Sequence, residues 1–255
     1  MEKNYNIHFE HKKLWINYDS GKIVKNKIKL VLDYIPNDIE SIIDIGCGNG
    51  IITNELSKQY KVVGVDTSKE ALKYLKCDKI NSSSENIPVD DLSFDMVFSS
   101  ELLEHLPTGI LLKTIDEFKR IAKKYIFITI PNQELLEINF IKCPKCGYIF
   151  HSYGHLNSFS EKDLIRLIGN NFKHIKTDYF GPEKRNYNRI LLRIKQYLGN
   201  RWFPIQANTI CPNCQNTNFI KKKGNIISKI CNGLNLIFSK KKPYWLFIIF
   251  ERKEK

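Results

Sequence analysis

No run of about eighteen apolar residues occurs anywhere in the 255-residue sequence, so no segment reads as a bilayer-spanning helix. The longest candidates, Tyr125 to Ile130 and Tyr244 to Phe250, are only a few residues each. The N-terminus, Met1-Glu2-Lys3-Asn4-Tyr5, lacks the apolar stretch of a secretory signal. Internal repeats are missing apart from two Cys-Pro-x-Cys units, and the length leaves little room for two large independent domains. Acidic residues are also in short supply, 27 against 40 Lys and Arg, and the resulting net charge of +13 admits a phosphate-bearing partner. Much of the lysine stands in runs such as Lys221-Lys222-Lys223 and Lys240-Lys241-Lys242, which read as solvated faces. The expectation is a soluble, cytoplasmic chain with one core of ordinary size and room for an insertion.

Four of the seven cysteines stand as Cys143-Pro-Lys-Cys146 and Cys211-Pro-Asn-Cys214. Each turn is shaped to present two thiolates to one tetrahedral ion, a use of cysteine that suits a reducing compartment. Zinc is the expected metal, and iron suits the same ligand set. Four thiolates leave no open coordination position, so the expected role is structural. Cys47, Cys77 and Cys231 read as small buried hydrophobes.

After a helical pattern at Lys22 to Tyr34, stopped by Pro36, the chain alternates. Strands are expected at Ser41 to Ile45, Lys61 to Val65, Lys79 to Ser82, Phe94 to Ser99 and Tyr125 to Ile130. Helices are expected at Gly50 to Gln59, Lys69 to Lys76 and Gly109 to Lys123. An irregular stretch rich in Cys, His, Tyr and Gly runs from Pro131 to Ser158. Then come a helix at Ser160 to Gly169, a strand at Lys173 to Phe180, helices at Glu183 to Leu198 and Ile226 to Phe238, and a last strand at Tyr244 to Glu251. Such alternation calls for a doubly wound α/β fold with a mostly parallel sheet.

The most informative segment is Ile42-Ile43-Asp44-Ile45-Gly46-Cys47-Gly48-Asn49-Gly50-Ile51, an apolar strand entering a glycine-rich turn. Asp66 closes the next strand twenty positions after Gly46, where a carboxylate can accept both hydroxyls of an adenosine ribose. A dinucleotide fingerprint would place a third small residue at position 51, which is Ile51. The Gly-x-Gly-x-Gly spacing instead suits a ligand with a ribose and an amino-acid tail but no diphosphate.

Together with Ser84-Glu85-Asn86-Ile87-Pro88, Phe94-Asp95-Met96-Val97 and Glu101-Leu102-Leu103-Glu104-His105-Leu106, these motifs resemble the class I S-adenosylmethionine (SAM)-dependent methyltransferases. The resemblance covers Ser41 to about Phe180 and the final strand. It implies strands in the order 3-2-1-4-5-7-6 with the seventh antiparallel, and SAM as cofactor. Asp44, Gly46 and Gly48 would line its methionine part, Asp66 its ribose and Thr67 its adenine edge, with Cys47 and Ser100 completing the set. The family often has an aspartate for the adenine amino group where this chain has Ser83, leaving Ser83, Ser84 or the Glu85 backbone to make that contact. The implied organisation is an N-terminal helical segment over 1–40, a core over 41–182 plus 243–255, and inserts at 141–159 and 183–242. Strands five and seven are neighbours in such a sheet, so the two cysteine pairs are expected to meet as a zinc knuckle and lid.

Helical spacing places Glu101, Glu104 and His105 on one face, with His151 and His155 following strand five. His105 and His155 are the candidate bases for a hydroxyl acceptor. The Glu-x-x-Glu-His motif with later histidines also resembles small-RNA 3′-terminal 2′-O-methyltransferases, which implies a divalent ion. A purely loop-orienting role for His105 stands beside both. For the methyl acceptor the leading expectation is a small molecule, a sugar or a lipid-linked compound. RNA is the alternative, with Tyr197 and Trp202 beside Arg193, Lys195 and Arg201 as a stacking strip. A catalytically idle SAM- or zinc-binding interaction module is the third.

Overall fold

The computed structural model describes residues 21–202, 209–219 and 224–254. The sequence-predicted segment before Gly21 and the Lys221-Lys222-Lys223 run lie outside the described residues.

Apolar strands with buried residues on both faces form the middle of one seven-stranded sheet. Its strands are β1 (Ser41–Ile45), β2 (Lys61–Asp66), β3 (Asp78–Asn81), β4 (Phe94–Ser100), β5 (Ala122–Pro131), β8 (Phe172–Arg185) and β9 (Lys241–Arg252). The order is β3-β2-β1-β4-β5-β9-β8, with β9 antiparallel to both β5 and β8. The other pairings are parallel. This is the doubly wound topology expected from the sequence.

Alternation along the central strands divides the core in two. Ile43, Val97, Ile126, Ile128 and Ile248 face one side, where α3 (Thr108–Ile121) supplies Ile115 and Phe118. Ile42, Phe98, Phe127, Phe247 and Ile249 face the other, beneath Val31 of α1 (Lys22–Tyr34). Each such side chain, removed from water, contributes about 1.5–3 kcal/mol. Helix α4 (Glu161–Ile168) starts in a capping box, Ser160 with Asp163, and stops at Gly169.

The segment expected as a helix over Gly50 to Gln59 narrows to the single turn α2 (Thr53–Leu56), and Lys69 to Lys76 to a 3-10 turn at Ala71–Tyr74. Packing explains both corrections. A β-carbon on Gly50 would lie 2.7 Å, and one on Gly64 2.3 Å, from Leu75, which fills the space the two glycines leave. Asn54, whose side chain bonds the Tyr74 carbonyl and the Lys76 amide, ties the two short turns together.

A third correction concerns Glu183 to Leu198. There β8 continues to Arg185 by pairing with β9 past an irregularity at Phe180/Glu183, and helix α5 (Arg189–Tyr197) begins only after the Asn188 cap. On α5, Leu192 and Gln196 are buried, whereas Ile190 and Leu198 are exposed. Helix α6 (Ile226–Phe238) packs on α5, and β6 (Phe140–Lys142) with β7 (Ile149–His151) forms a separate hairpin. Since β5 and β9 are adjacent, the excursion after β5 and the one before β9 leave from neighbouring edges. No helix among the described residues is long and apolar enough to cross a membrane.

Candidate functional site

The turn after β1 is tied to β2, because the amides of Gly46 and Cys47 donate to the Val65 carbonyl at 2.8 and 3.0 Å. Gly46 has φ +80°, and a β-carbon there would lie 2.9 Å from Leu102, so the position admits glycine alone. Asp66 is held in place from both sides, accepting from Gly48 N and from Ser68 N at 2.8 Å each. Burial pushes its carboxyl up, against the downward pull of those amides. Asp44 is buried and accepts from Thr53 Oγ1 at 2.7 Å, while its Oδ1 has no hydrogen-bond partner among the described residues. Burial pushes the Asp44 carboxyl up to about 7, with the nearby Asp66 charge adding to it and Thr53 opposing. An unsatisfied buried acceptor beside a glycine cradle fits a ligand carrying an amino group, such as the methionine end of SAM.

Three of the candidate side chains make contacts within the chain. The Ser84 hydroxyl bonds Thr114 Oγ1 of α3 at 2.8 Å and is buried, while Ser83 and Glu85 are half-buried in the same turn. Cys47 packs its thiol beneath the loop, 3.0 Å from where a Gly64 β-carbon would sit, and burial pushes that thiol far up. Ser100 Oγ accepts from Thr129 Oγ1 at 2.9 Å. Asn81, which sequence reasoning missed, donates to the carbonyls of Asp66 and Thr67 at 3.0 and 2.9 Å. The signal was its place at the carboxyl end of β3, in register with Asp66.

Glu101 does not share a face with Glu104 and His105. Its φ of +56° swings the chain before the 3-10 turn at Leu103–His105, and its carboxylate instead accepts from Lys27 Nζ of α1 at 3.2 Å. That ammonium also lies 4.6 Å over the Trp245 ring. Glu104 is buried, with neither carboxylate oxygen hydrogen-bonded among the described residues, and its main-chain carbonyl accepts from Leu156 N and Asn157 N. Burial, reinforced by the Glu101 charge, holds the Glu104 carboxyl well above the ordinary range.

The rings of His105 and His155 meet edge to face with centroids 4.7 Å apart, and His151 stacks on His155 at 4.5 Å. Between the last two lies Glu134, also missed in the sequence. It bonds His155 Nδ1 and stands 3.4 Å from His151 Nε2. His151 Nδ1 accepts from the amides of Tyr153 and His155, which puts its ring proton on Nε2, toward Glu134. Burial acts to raise the Glu134 carboxyl, but hydrogen bonds with His151 and His155 outweigh it and hold the group below the usual range. One ligand atom each from Glu104, His105 and His155 lies within 4.8 Å of the others. This arrangement can hold a divalent cation or move a proton.

The two cysteine pairs meet. Cys143 Sγ is 3.6 Å from Cys214 Sγ, and Cys146 Sγ is 3.7 Å from Cys211 Sγ. Metal–sulfur bonds of about 2.3 Å at tetrahedral angles give sulfur separations of about 3.8 Å. The two turns are alike: the carbonyl of Cys143 accepts from Gly147 N and that of Cys211 from Gln215 N, and both donors have positive φ. Ile141 and Phe150 pack against Cys143 and Cys211 as a small separate core.

Residues 43–127 match the family described as a methyltransferase domain. The chain is 30% identical over 169 residues to a ubiquinone biosynthesis O-methyltransferase of Nitrosococcus oceani, covering 54% of this chain and 70% of that one. It is 28% identical to an uncharacterised protein of Methanocaldococcus jannaschii over 76% of this chain and 81% of that one. In fold it resembles a SAM-dependent methyltransferase of Archaeoglobus fulgidus, with a TM-score of 0.56 and 20% identity over 97% of each chain.

Proposed function

Because the chain belongs to the class I SAM-dependent methyltransferases, we propose that it transfers the methyl group by in-line displacement to a small-molecule, sugar or lipid-linked acceptor. SAM, when bound, supplies an electrophilic methyl on a sulfonium. The chain's task is then to fix donor and nucleophile in line at close range and, for a hydroxyl acceptor, to take its proton. Asp44 would receive the amino group, the main chain at Gly46 and Gly48 the rest of the methionine part, and Asp66 the ribose hydroxyls. Thr67, Ser83 and the Glu85 backbone would border the adenine, with Ser100 at the end of β4. The observation that carries this reading is Asp44 Oδ1, a buried acceptor beside a glycine turn with no partner among the described residues.

His155 is assigned as base, with His105 beside it. Glu134 on Nδ1 would hold the tautomer that leaves Nε2 able to accept a proton, which makes Glu134 a positioning residue. A second reading, a divalent cation on Glu104, His105 and His155, draws support from the unpartnered Glu104 oxygens. The four cysteines are assigned to structural zinc. The acceptor assignment leans on the relative's printed role as an O-methyltransferase of ubiquinone biosynthesis.

Incubating the protein with methyl-labelled SAM and fractionated cell extract tests the proposal. Label is expected in a low-molecular-weight or lipid fraction. Label in RNA would overturn the acceptor class, and no label in any fraction would overturn the enzymatic reading. Transfer that stops on chelation and returns with added divalent ion would favour the cation over the base, whereas full turnover by His105→Ala would remove His105 from the chemistry.

A further inference from the structure

Helix α6 is folded inside out. Its buried side chains are Ser228, Cys231 and Asn235, while Ile226, Ile230, Leu234, Leu236, Ile237 and Phe238 are all exposed. Hydrogen bonding explains why the polar face turns inward. Asn235 accepts from Asn188 N at 2.8 Å and donates to the Asn186 carbonyl at 3.1 Å, Asn232 accepts from Tyr187 Oη at 2.8 Å, and the Asn225 cap bonds the Leu198 carbonyl at 2.9 Å. The helix is thus anchored through amides, which leaves its isoleucines outside. Ile226, Ile230, Leu234 and Ile237 recur at spacings of three and four and share one stripe. On α5, Ile190 and Tyr197 are exposed on one face with Arg189 and Arg193. Apolar surface of this kind normally marks an interaction site.

Charge identifies the partner. From Lys184 to Lys242 the sequence carries thirteen Lys and Arg and no Asp or Glu, while the rest of the chain holds 27 of each sign. The whole net charge of +13 therefore resides in the segment that presents the apolar stripe. Exposed Lys229 on α6 and Lys240 and Lys241 just beyond it flank the stripe. A nucleic acid would use the charge but not six exposed aliphatic and aromatic side chains, and a second copy of this segment would be repelled by its like charge. A surface that combines apolar insertion with anionic attraction fits both.

We propose that α5 and α6 dock the protein on an anionic lipid bilayer, with α6 lying in the interface plane. At 13 residues the helix is too short to span one. Docking would bring the proposed methyl-transfer site to acceptors held in the membrane, yet it requires no turnover, so its failure and that of the enzymatic reading are separable.

Sedimentation of the whole chain with phosphatidylcholine vesicles, with and without phosphatidylserine, tests this. Binding is expected to need the anionic lipid, to fall as salt rises, and to weaken about tenfold or more in Ile230→Ser/Ile237→Ser. Both positions are exposed, so the variant should keep its thermal transition and SAM affinity; Arg193→Glu/Lys229→Glu should lose the phosphatidylserine dependence. Failure to bind these vesicles would overturn the proposal. So would a concentration-dependent dimer abolished by Ile230→Ser/Ile237→Ser, or tight RNA binding that the serine variant leaves unchanged.

Discussion

Asp44 bears opposite consequences for folding and for binding. Its carboxyl is pushed up to about 7 in the ligand-free chain, above its unfolded value, so the native state holds the proton more tightly. Raising the pH from the ordinary carboxylate range through 7 therefore ionises a buried, half-satisfied group and lowers stability. An ammonium at Oδ1 reverses the preference and favours the anion. SAM affinity should be greatest between about pH 7 and 8, weaken by up to about tenfold per unit below that range as Asp44 must shed a proton to bind, and fall again above it as the ligand's α-amino group loses its proton. Calorimetry across pH in buffers of different ionisation heat would detect the proton released. Asp44→Asn should melt at a higher temperature than the parent at pH 8 while binding SAM more weakly; a variant that loses both would reduce Asp44 to a packing residue.

Glu134 poses a complementary case. If it orients His155, Glu134→Gln should lower kcat about 10- to 100-fold and shift the pH profile, while leaving the SAM dissociation constant unchanged. An unaltered pH profile would remove it as a positioning residue. Nothing in the sequence pattern singled out Glu134: it lies in an irregular stretch, and only the fold carries His151 and His155 back to it. The Glu101 carboxylate was misread for a related reason. Helical spacing assumed ordinary dihedrals, and a positive φ at Glu101 is invisible in a residue list.

At the scale of elements, the sequence is most informative where periodicity and burial agree. The central strands β1, β4 and β5 are continuous apolar runs, and they were readable because both faces are covered. The short segments around Thr53–Leu56 and Ala71–Tyr74 were overread as helices, since their apolar residues serve the packing of Leu75 against glycines rather than a helical stripe. In α5 and α6 helical periodicity does not decide which face is buried, because anchoring through the side chains of Gln196, Asn225 and Asn235 overrides the apolar stripe. The cysteine pairs were legible despite 64 intervening residues between Cys146 and Cys211, since adjacency of β5 and β9 closes that gap. One zinc per chain is expected by elemental analysis, lost in Cys143→Ser and in Cys211→Ser. Stoichiometric metal retained in both variants would refute the ligand set. Loss of the ion should lower thermal stability of the 140–151 hairpin before that of the sheet, since Ile141, Phe150 and the thiols form a core of their own.

Across the whole molecule, the fold divides labour between a sheet that fixes the donor side and excursions that differ from it in charge and packing. The topology brings the ends of β1, β2 and β4 together, as open α/β sheets do where strand order reverses. The excursions from neighbouring β5 and β9 supply His151, His155 and the thiols, and the one before β9 carries the basic apolar surface. All of it presupposes that Asp66, locked by the Gly48 and Ser68 amides, grips the ribose of SAM. Titration calorimetry of SAM into the parent and into Asp66→Ala tests that directly. One site per parent chain is expected, with affinity weaker by at least about tenfold in the variant, the loss of a charged hydrogen-bonding acceptor. Equal affinity in the two proteins would contradict it.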